Sequence, residues 1–429
     1  MPYCEVAKDQ TTALYHHNDD HHNHKLNSSI RLFYKTYGRG PTKILLIIGL
    51  AGTYDSWGPQ IKELTGTDSP NDEEAMTDES GGGCGGDGGG IEVCAFDNRG
   101  MGRSSVPVTK SEYTTKTMAK DSIALLDHLG WKKAHVFGHS MGAMIACKVA
   151  AMMPDRVLSL ALLNVTGGGF ECFPRLDRKT LSIAIRFLRA KTPEQRAAVD
   201  LDTHYTKEFL EEYIGPNTRR TILYQEYVKG ISATGMQSNF GFDGQVHACW
   251  KHKMTQTEIE QIRTAGFLVS VIHGRDDVIA QICHARRLAE KLHPVARMVE
   301  LHGGHLVSHE RPEEVNRALI ELMKASETKI SPQDWTNLPN KNSGTGMPFS
   351  STSTEQRSYM ISILEKLQFF LFYVFESELT LLKLVCDDPS FQLCFINLRF
   401  PWIAVFLRSP HTQYFSAILR MVYHYEGMT

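Results

Sequence analysis

Short apolar segments of strand length recur along the chain and alternate with helical patterns. Seven segments have the strand pattern: 29–38, 44–50, 91–97, 133–140, 158–165, 267–274 and 297–303. Most of them are continuous apolar runs, which are typical of parallel strands that are buried on both faces. Because strands that alternate with helices form βαβ units, the pattern predicts an α/β protein built on a mostly parallel sheet.

The composition is that of a globular protein and excludes several other classes. Hydrophobic residues make up 42% of the 429 residues and charged residues 22%, which excludes wholesale disorder and a polytopic membrane protein. The formal net charge of −2 lacks the basic excess of nucleic-acid-binding proteins, so we expect no nucleic-acid partner. The nine cysteines include no C-x-x-C pair, and residues 1–10 lack a secretory pattern, which together predict a cytoplasmic protein with reduced thiols.

Two polar segments interrupt the pattern in the first quarter of the chain. Residues 1–28 are predicted to form a solvated arm, and although the tract HHNDDHHNH at 16–24 is rich in histidine, we expect no metal site there. Residues 67–90 contain seven Asp and Glu, no Lys or Arg, and the run SGGGCGGDGGG, which predicts a flexible surface loop. Since no G-K-[ST] motif follows these glycines, we expect no phosphate site.

A longer interruption, residues 168–262, separates the strand pattern at 158–165 from that at 267–274. Its 95 residues carry helical patterns and are too many for a plain connection between two strands. We therefore predict a helical cap that is inserted at this point and covers the sheet.

The sharpest local motif is Gly138-His139-Ser140-Met141-Gly142. A G-x-S-x-G string alone is weak evidence, because it is expected by chance in about one chain in five of this length. Here it follows an apolar strand pattern and precedes a helix of small residues, which is the setting of a nucleophile elbow. Glycines permit the sharp turn that holds such a serine in a strained backbone conformation, with its hydroxyl above the sheet edge. Ser140 is therefore the candidate nucleophile.

A serine hydroxyl is a weak nucleophile unless a histidine accepts its proton and a carboxylate orients that histidine. Two carboxylates, Asp276 and Asp277, follow the strand pattern that ends at residue 274. Three histidines follow the last predicted strand: His302, His305 and His309. Since α/β proteins gather their catalytic groups in loops at the carboxyl ends of parallel strands, both sets are candidates for the acid and the base.

Five motifs occur in the order that is found in one known family. They are Gly49-Leu50-Ala51-Gly52, the segments 97–104, 138–142 and 273–277, and Gly304-His305 ahead of Glu310 to Glu313. On these motifs, residues 29–326 resemble the α/β-hydrolase superfamily, of the AB hydrolase-1 type with a lid between strands six and seven, and are similar to its plant members. The resemblance implies an α/β-hydrolase fold, which is a mostly parallel eight-stranded sheet flanked by helices and covered by a helical cap.

The resemblance also implies a catalytic triad. Ser140 resembles the nucleophile and His305 the base, while Asp277 resembles the acid because the family places it three residues after the loop glycine. The backbone amides of Leu50 and Met141 resemble the donors that stabilise the oxyanion.

Other residues of the motifs are interpreted as structural. Ile48 stands where many members have histidine, which leaves the backbone donors of the oxyanion site intact. His139 and His273 flank their motifs and are expected to satisfy backbone groups. Arg99 and the glycines that follow it are expected to form a turn with a surface salt bridge. The resemblance implies no metal ion and no organic cofactor.

The segment 168–262 also supplies candidates for the lining of a substrate pocket. They are aromatic or flexible apolar residues: Phe170, Met236, Phe240, Phe242 and Trp250. Because aromatic side chains serve equally well in the core of a cap, the sequence leaves both roles open for them.

The resemblance ends near residue 326. Residues 327–358 are rich in Ser, Thr, Asn and Pro and are predicted to be a linker. Residues 359–429 contain 15 aromatic residues, but their uncharged stretches are too short for a membrane-spanning helix, which needs about 18 apolar residues. A poorly ordered extension, a small packed appendage and interfacial contact with a membrane stay open for this tail, and membrane contact is not the favoured one.

The most specific hypothesis is a serine hydrolase that acts on an ester, or on a related acyl or carbon–carbon bond, of a small apolar substrate. A ligand receptor or binding module on the same fold is the first alternative. An aminopeptidase of the proline-iminopeptidase type is a second alternative, which requires acidic cap residues near the substrate amine. The candidates for that role are Glu208, Glu211, Glu212 and Glu226. A small molecule is the expected partner, and the sequence does not specify an oligomeric state.

Overall fold

The computed structural model describes residues 2–6, 29–71, 90–174, 177–234 and 236–338. All of them lie in the first of the two units into which the chain divides, residues 1–348. The histidine-rich tract at 16–24, most of the predicted loop at 67–90 and the tail at 359–429 lie outside the described residues. Within those ranges, no helix is both long and apolar enough to cross a bilayer.

Eight strands form the main sheet: β1 (Tyr3–Val6), β2 (Ile30–Tyr37), β3 (Thr42–Ile47), β4 (Ile91–Phe96), β5 (Ala134–His139), β6 (Val157–Leu163), β7 (Leu268–Gly274) and β8 (Ala296–Leu301). Their order across the sheet is β1-β2-β4-β3-β5-β6-β7-β8. Strand β2 pairs antiparallel with β1 and β4, and every other neighbouring pair is parallel. The predicted eight-stranded, mostly parallel sheet is confirmed.

Strand β1 corrects the prediction of a polar arm over residues 1–28. Residues 3–6 pair with β2, and Cys4 and Val6 are only 1% and 3% exposed. Tyr3 and Glu5 alternate with them and are less buried. Four residues are too few for a periodic signal, and the strand forms only because β2, far along the chain, offers it a partner. The sequence pattern therefore missed the strand.

Helices cover both faces of the sheet. One face packs α2 (Thr115–His128), α3 (Met141–Met152), α9 (Gln256–Thr264) and α10 (Ile282–Lys291), whose buried side chains share one apolar cluster. The other face packs α1 (Gly58–Thr65), α12 (Pro312–Glu327) and α13 (Pro332–Asn337). A short helix, α11 (Val307–Glu310), precedes α12. Three layers with the sheet in the middle explain why the strands are apolar along their whole length.

Among the described residues between β6 and β7, five α-helices precede α9: α4 (Arg178–Arg189), α5 (Pro193–His204), α6 (Lys207–Glu211), α7 (Arg219–Thr234) and α8 (Asn239–Lys251). A two-residue hairpin pairs Tyr213–Ile214 with Asn217–Thr218. These elements fall within the segment 168–262, which is predicted to form a cap. Its predicted end at residue 262 is too late, because Ile259 and Ile262 of α9 are buried in the core cluster beneath the sheet.

Helix α13 corrects the prediction of a linker over residues 327–358. Trp335 is fully buried, and its Nε1 donates to the Val269 carbonyl of β7 at 2.8 Å. Ser331 caps the helix by accepting from the Asp334 amide at 3.1 Å, and Pro332 occupies the first helical position. Serine, proline and asparagine are frequent in linkers, but the same residues begin helices, so composition alone could not separate the two cases.

Candidate active site

Ser140 lies on a sharp turn between β5 and α3. Its φ of 54° and ψ of −120° place a non-glycine residue in a strained backbone region. The strain is held by hydrogen bonds, because the Ser140 amide donates to the Leu163 carbonyl at 2.9 Å. A Cβ atom on Gly138 would lie 2.3 Å from the Gly142 carbonyl oxygen, and one on Gly142 would lie 2.0 Å from that of Ile47. Both glycines are therefore required by the close packing of this turn.

Asp277 and His305 follow β7 and β8, whose carboxyl ends are in register. The Asp277 Oδ2 and the His305 Nδ1 are 2.8 Å apart, and both side chains are buried. The other carboxylate oxygen of Asp277 accepts from the amides of Ile279 and Ala280 at 2.8 and 2.9 Å. These bonds fix the carboxylate and hold the His305 ring so that its Nε2 is available to a substrate or a nucleophile.

Asn164 is a site residue that the sequence analysis missed. It follows β6, has a φ of 49°, and donates from Nδ2 to the Asp277 Oδ2 at 2.7 Å and to the Gly304 carbonyl at 3.2 Å. One side chain thus joins the acid to the loop that carries the histidine. The only local signal was an asparagine directly after a strand, at the sheet edge where Ser140 and Asp277 also follow strands.

The charge of Asp277 is held by its neighbours. Burial alone would raise the pKa of this carboxyl, but the nearby His305 and the hydrogen bonds from His305 and Asn164 lower the pKa to about 2. The carboxylate is therefore ionised near pH 7.

Two histidines enclose the ring of His305. His139 donates from Nε2 to the His305 carbonyl at 2.8 Å, and the two ring centroids are 5.0 Å apart. His204, the last residue of α5 in the cap, stacks on the other side with a centroid distance of 6.1 Å. Burial lowers the pKa of both His139 and His204 to about 3, so both rings are neutral near pH 7. Because His139 precedes Ser140 in the chain, its bond to the His305 carbonyl links the turn at Ser140 to the loop that carries His305.

The Ser140 hydroxyl makes no hydrogen bond within the described part of the chain. The structure therefore joins Asp277 to His305 directly, and it connects the turn that carries Ser140 to His305 through the bond from His139 to the His305 carbonyl. Catalytic hydrogen bonds are often loose in the absence of substrate.

The alternative acids and bases lie elsewhere. Asp276 and His302 pair with each other at 2.8 Å on the surface, with side chains 46% and 52% exposed. His309 donates from Nε2 to the Ser56 carbonyl at 2.7 Å. His273 donates from Nε2 to the Ala280 carbonyl at 2.8 Å and so shapes the loop that holds Asp277.

The loop after β3 lies against the elbow. A Cβ on Gly49 would be 3.0 Å from the Ser140 Cβ, and the Gly52 amide closes a turn by donating to the Gly49 carbonyl at 3.3 Å. Ala51 has a φ of 59°, which costs a non-glycine residue roughly 1 kcal/mol. In the part of the chain that is described, the amides of Leu50 and Met141 donate to no protein group. Both amides are therefore available as donors.

The pocket candidates divide into two groups. Phe170 and Trp250 pack edge to face with centroids 5.3 Å apart, and Phe242 packs on Phe187 at 5.8 Å. Met236 and Phe240 are 43% and 44% exposed. A lining role stays a prediction for all five, and the aromatic cluster at Phe170 and Trp250 is the part that the structure brings together.

Arg99 is the residue whose predicted environment was wrong. Its guanidinium is 1% exposed and forms two hydrogen bonds with Asp121, at 2.6 and 2.7 Å. A third bond goes to the Glu112 carbonyl at 2.9 Å. The salt bridge is therefore buried, because α2 brings Asp121 under the loop that follows β4. Gly100 and Gly102 have the expected positive φ, at 83° and 57°.

The four glutamates that a peptidase would need are all exposed on the cap. Glu211 pairs with Lys207, and Glu212 with Arg219. The structure does not bring Glu208 or Glu226 to the Ser140 elbow either. No cluster of three or more potential metal ligands occurs among the described residues. The histidine-rich tract at 16–24 lies outside them.

Buried histidines also make stability depend on pH. Burial, and then the charge of Lys148, lower the pKa of His252 to about 3 in the folded protein, against about 6.5 in the unfolded chain. The neutral His252 ring therefore contributes fully to the stability of the folded protein above pH 6.5, and this contribution is lost as the pH falls toward 3. Urea denaturation between pH 7.5 and 4.5 measures how the free energy of unfolding changes with pH. For His252→Gln, this free energy should fall less steeply with falling pH than for wild type, by up to about 1.4 kcal/mol per pH unit.

The control for this prediction is His302→Gln, since His302 is exposed and its substitution should leave the slope unchanged. The prediction would be contradicted by parallel curves for the wild type and His252→Gln.

Known proteins with similar sequences and structures share this fold. The sequence profile of the alpha/beta hydrolase fold family matches residues 43–312. "Putative carbamate hydrolase RutD" of Azorhizobium caulinodans is 25% identical over 292 residues, which cover 67% of this chain and 93% of that protein. "Putative non-heme bromoperoxidase BpoC" of Mycobacterium tuberculosis is 29% identical over 237 residues, which cover 54% and 83%.

The solved structure of an enol-lactonase from Burkholderia xenovorans covers 69% of this chain and 97% of its own, with a TM-score of 0.53 and 21% identity. At this identity the likeness shows the shared fold. These three relatives are bacterial, whereas the sequence motifs led us to expect a likeness to plant members.

Proposed function

Because the chain belongs to the alpha/beta hydrolase fold family, we propose that it is a serine hydrolase that cleaves an ester, or a related acyl or carbon–carbon bond, of a small apolar substrate. The observation that carries this proposal is the buried pair of Asp277 and His305, 2.8 Å apart, beside the strained Ser140 elbow. A buried carboxylate that orients a histidine near a partly exposed serine is the arrangement that acyl transfer requires.

In the first step, the Ser140 Oγ attacks the substrate carbonyl carbon while its proton passes to the His305 Nε2. The new positive charge on the ring is stabilised by the Asp277 carboxylate, which the neighbouring groups keep ionised. The carbonyl electron pair moves to the oxygen. The Leu50 and Met141 amides are the proposed donors to that oxyanion, and Met141 begins α3, where the helix dipole also favours negative charge.

In the second step, the leaving group takes the proton from His305 and departs, which leaves an acyl-serine. Water then loses a proton to the His305 Nε2 and attacks the acyl carbon. Collapse of the second oxyanion releases the acid and returns the proton to Ser140. The chain, the substrate and this one water molecule balance both steps.

The ester class is supported by the relatives as well as by the geometry. One relative is named as a carbamate hydrolase and a solved structure as an enol-lactonase, and both names describe cleavage next to an acyl carbon. The aromatic cluster of Phe170, Phe173 and Trp250 supports an apolar substrate, because such rings contribute large apolar surfaces to pockets.

The test is covalent labelling with a fluorophosphonate probe, which reacts with activated serines. Folded wild type should be labelled at Ser140, as identified by peptide mass spectrometry, whereas Ser140→Ala and heat-unfolded wild type should not. Ser308→Ala is the matched control, since Ser308 lies buried in the neighbouring helix α11 and should leave the labelling unchanged. An absence of labelling in folded wild type would contradict the proposed serine hydrolase and favour a ligand-binding module.

We also propose a cytoplasmic location. No disulfide joins any two of the six described cysteines, and three of them are buried in the core. Reduced thiols are typical of proteins that stay in the cytoplasm.

A further inference from the structure

Gln245 of the cap is fully buried, although its side chain is polar. Its Oε1 accepts from the Ala51 amide at 3.0 Å and from the Gln237 Nε2 at 3.0 Å. Its Nε2 donates to the Arg99 carbonyl at 3.0 Å. One amide from α8 therefore joins the cap to two loops of the main body, the loop after β3 and the loop after β4.

The contact with Ala51 matters because of the turn in which Ala51 lies. The turn runs from Gly49 to Gly52 and requires a positive φ at Ala51, a conformation that alanine rarely adopts. The Ala51 amide belongs to the peptide between Leu50 and Ala51, so a fixed acceptor for this amide fixes the orientation of that peptide. The amide of Leu50 belongs to the preceding peptide, between Gly49 and Leu50, and its direction depends on the same turn.

The other side of Gln245 is anchored to a rigid part of the protein. The Arg99 carbonyl belongs to the residue whose guanidinium is locked by Asp121 and the Glu112 carbonyl. Gln237 donates to the Gly100 carbonyl at 2.9 Å, next to it. The Arg99 side of this contact therefore cannot shift easily, and it serves as a fixed point for the Gln245 amide.

Helix α8 itself lies very close to this loop. A Cβ on Gly241 would lie 2.0 Å from the Gly100 carbonyl oxygen, and one on Gly244 would lie 2.3 Å from the Tyr113 ring. Two glycines thus allow the helix to approach the body closely enough for the Gln245 side chain to reach Ala51. The backbone of Gln245 is fixed as well as its side chain.

We propose that Gln245 is a positioning residue, through which the cap sets the direction of the Leu50 amide toward the oxyanion. This inference rests on the proposed serine hydrolase activity. In this arrangement the cap does more than shape the pocket, because the bond from Gln245 to Ala51 exists only when α8 is seated on the body. An unseated cap leaves the turn without its acceptor, and the oxyanion donor is then poorly aligned.

The test uses the full chain with p-nitrophenyl acetate as the substrate probe and the fluorophosphonate as the labelling probe. Gln245→Met keeps the length of the side chain and removes the acceptor for Ala51. Because a lost oxyanion donor lowers kcat by about 10² to 10³, a misdirected one should lower kcat by about 30-fold, with KM changed by less than about threefold. The rate of labelling should fall to a similar degree. If the role of Gln245 were purely structural, the variant would be less stable to heat but would not show a lower kcat at nearly constant KM.

Two further variants sharpen the test. Gln245→Glu keeps an acceptor for Ala51 but cannot donate to Arg99, and it should recover kcat to within about fivefold of wild type, by the same oxyanion argument. Asp243→Asn is the matched control, because Asp243 lies on the same helix and pairs with Lys110 of the body at 3.4 Å, without a bond to Gln245 or Ala51. It should change kcat by less than about threefold. If Gln245→Met does not unfold cooperatively, Gln245→Asn takes its place, since its shorter amide cannot reach Ala51.

The proposal is overturned if the folded methionine or asparagine variant keeps the wild-type kcat, or if Gln245→Glu loses as much kcat as Gln245→Met. In either case, wild type that is still labelled at Ser140 shows that the proposed function stands and that only the role of Gln245 is wrong. Wild type without labelling overturns both.

Discussion

Replacement of Asp277 by asparagine is expected to lower kcat by about four orders of magnitude, with the protein still folded. The Asp277 carboxylate accepts from the His305 Nδ1, and this bond selects the tautomer whose Nε2 can take the proton from Ser140. An asparagine amide can turn its NH2 group toward the ring and select the wrong tautomer. It also removes the negative charge that stabilises the protonated ring. Hydrolysis of p-nitrophenyl acetate at saturating substrate gives kcat for each variant.

The neighbouring carboxylate provides the control. Asp276→Asn changes a side chain that is 46% exposed and pairs with His302 on the surface. We expect kcat within about threefold of wild type, since surface substitutions away from a site have small effects. If the two variants lost activity equally, the assignment of the acid to Asp277 would be wrong. Thermal unfolding of both variants separates a loss of catalysis from a loss of fold.

Replacement of Trp335 by alanine is expected to lower the free energy of unfolding by about 3–5 kcal/mol. The side chain is fully buried against the face of the sheet that packs α1 and α12, and its Nε1 donates to Val269. The guanidinium of Arg297 lies 5.0 Å from the centre of the ring, which adds a cation–π contact. Alanine leaves a cavity and removes these interactions together. Urea denaturation of the full chain, monitored by circular dichroism, measures the effect.

Two other variants divide this effect into its parts. Trp335→Phe keeps most of the apolar surface and loses the bond to Val269, which should cost about 1–2 kcal/mol. Leu338→Ala lies at the end of the same segment, where Leu338 is 38% exposed, and should cost less than about 0.5 kcal/mol. Equal stability of Trp335→Ala and wild type would show that α13 adds nothing to the stability of the fold, as expected of the linker that its composition predicts.

The helical segment between β6 and β7 contacts both the loop that carries His305 and the loop after β3. His204 stacks on His305, and the Glu310 carboxylate accepts from the amides of Thr206 and Gly304 at 2.9 and 2.8 Å. Gln245 holds the loop on the opposite side of the elbow. The cap therefore joins both the histidine loop and the oxyanion loop, and its sequence constrains the site as well as the pocket.

The layered fold could be predicted because its signals are local. A run such as 44–47 is apolar whatever the rest of the chain does, and the structure confirms a buried strand there. The Ser140 turn carries its glycines within two residues on either side, so its shape is encoded in five letters. For the same reason the sequence patterns missed β1 and α13, because segments of four and six residues are too short to show a periodic pattern.

The sequence by itself determined the fold class, the place of a long helical segment between two strands, and the turn at Ser140, because neighbouring residues encode each of these. Only the tertiary structure separated Asp277 from Asp276 by burial and bonding, buried Arg99 against Asp121, and brought Asn164 to the acid. It also placed Gln245 against Ala51, which is 194 residues away along the chain. A contact between distant residues depends on how the layers pack, and no local periodicity records it.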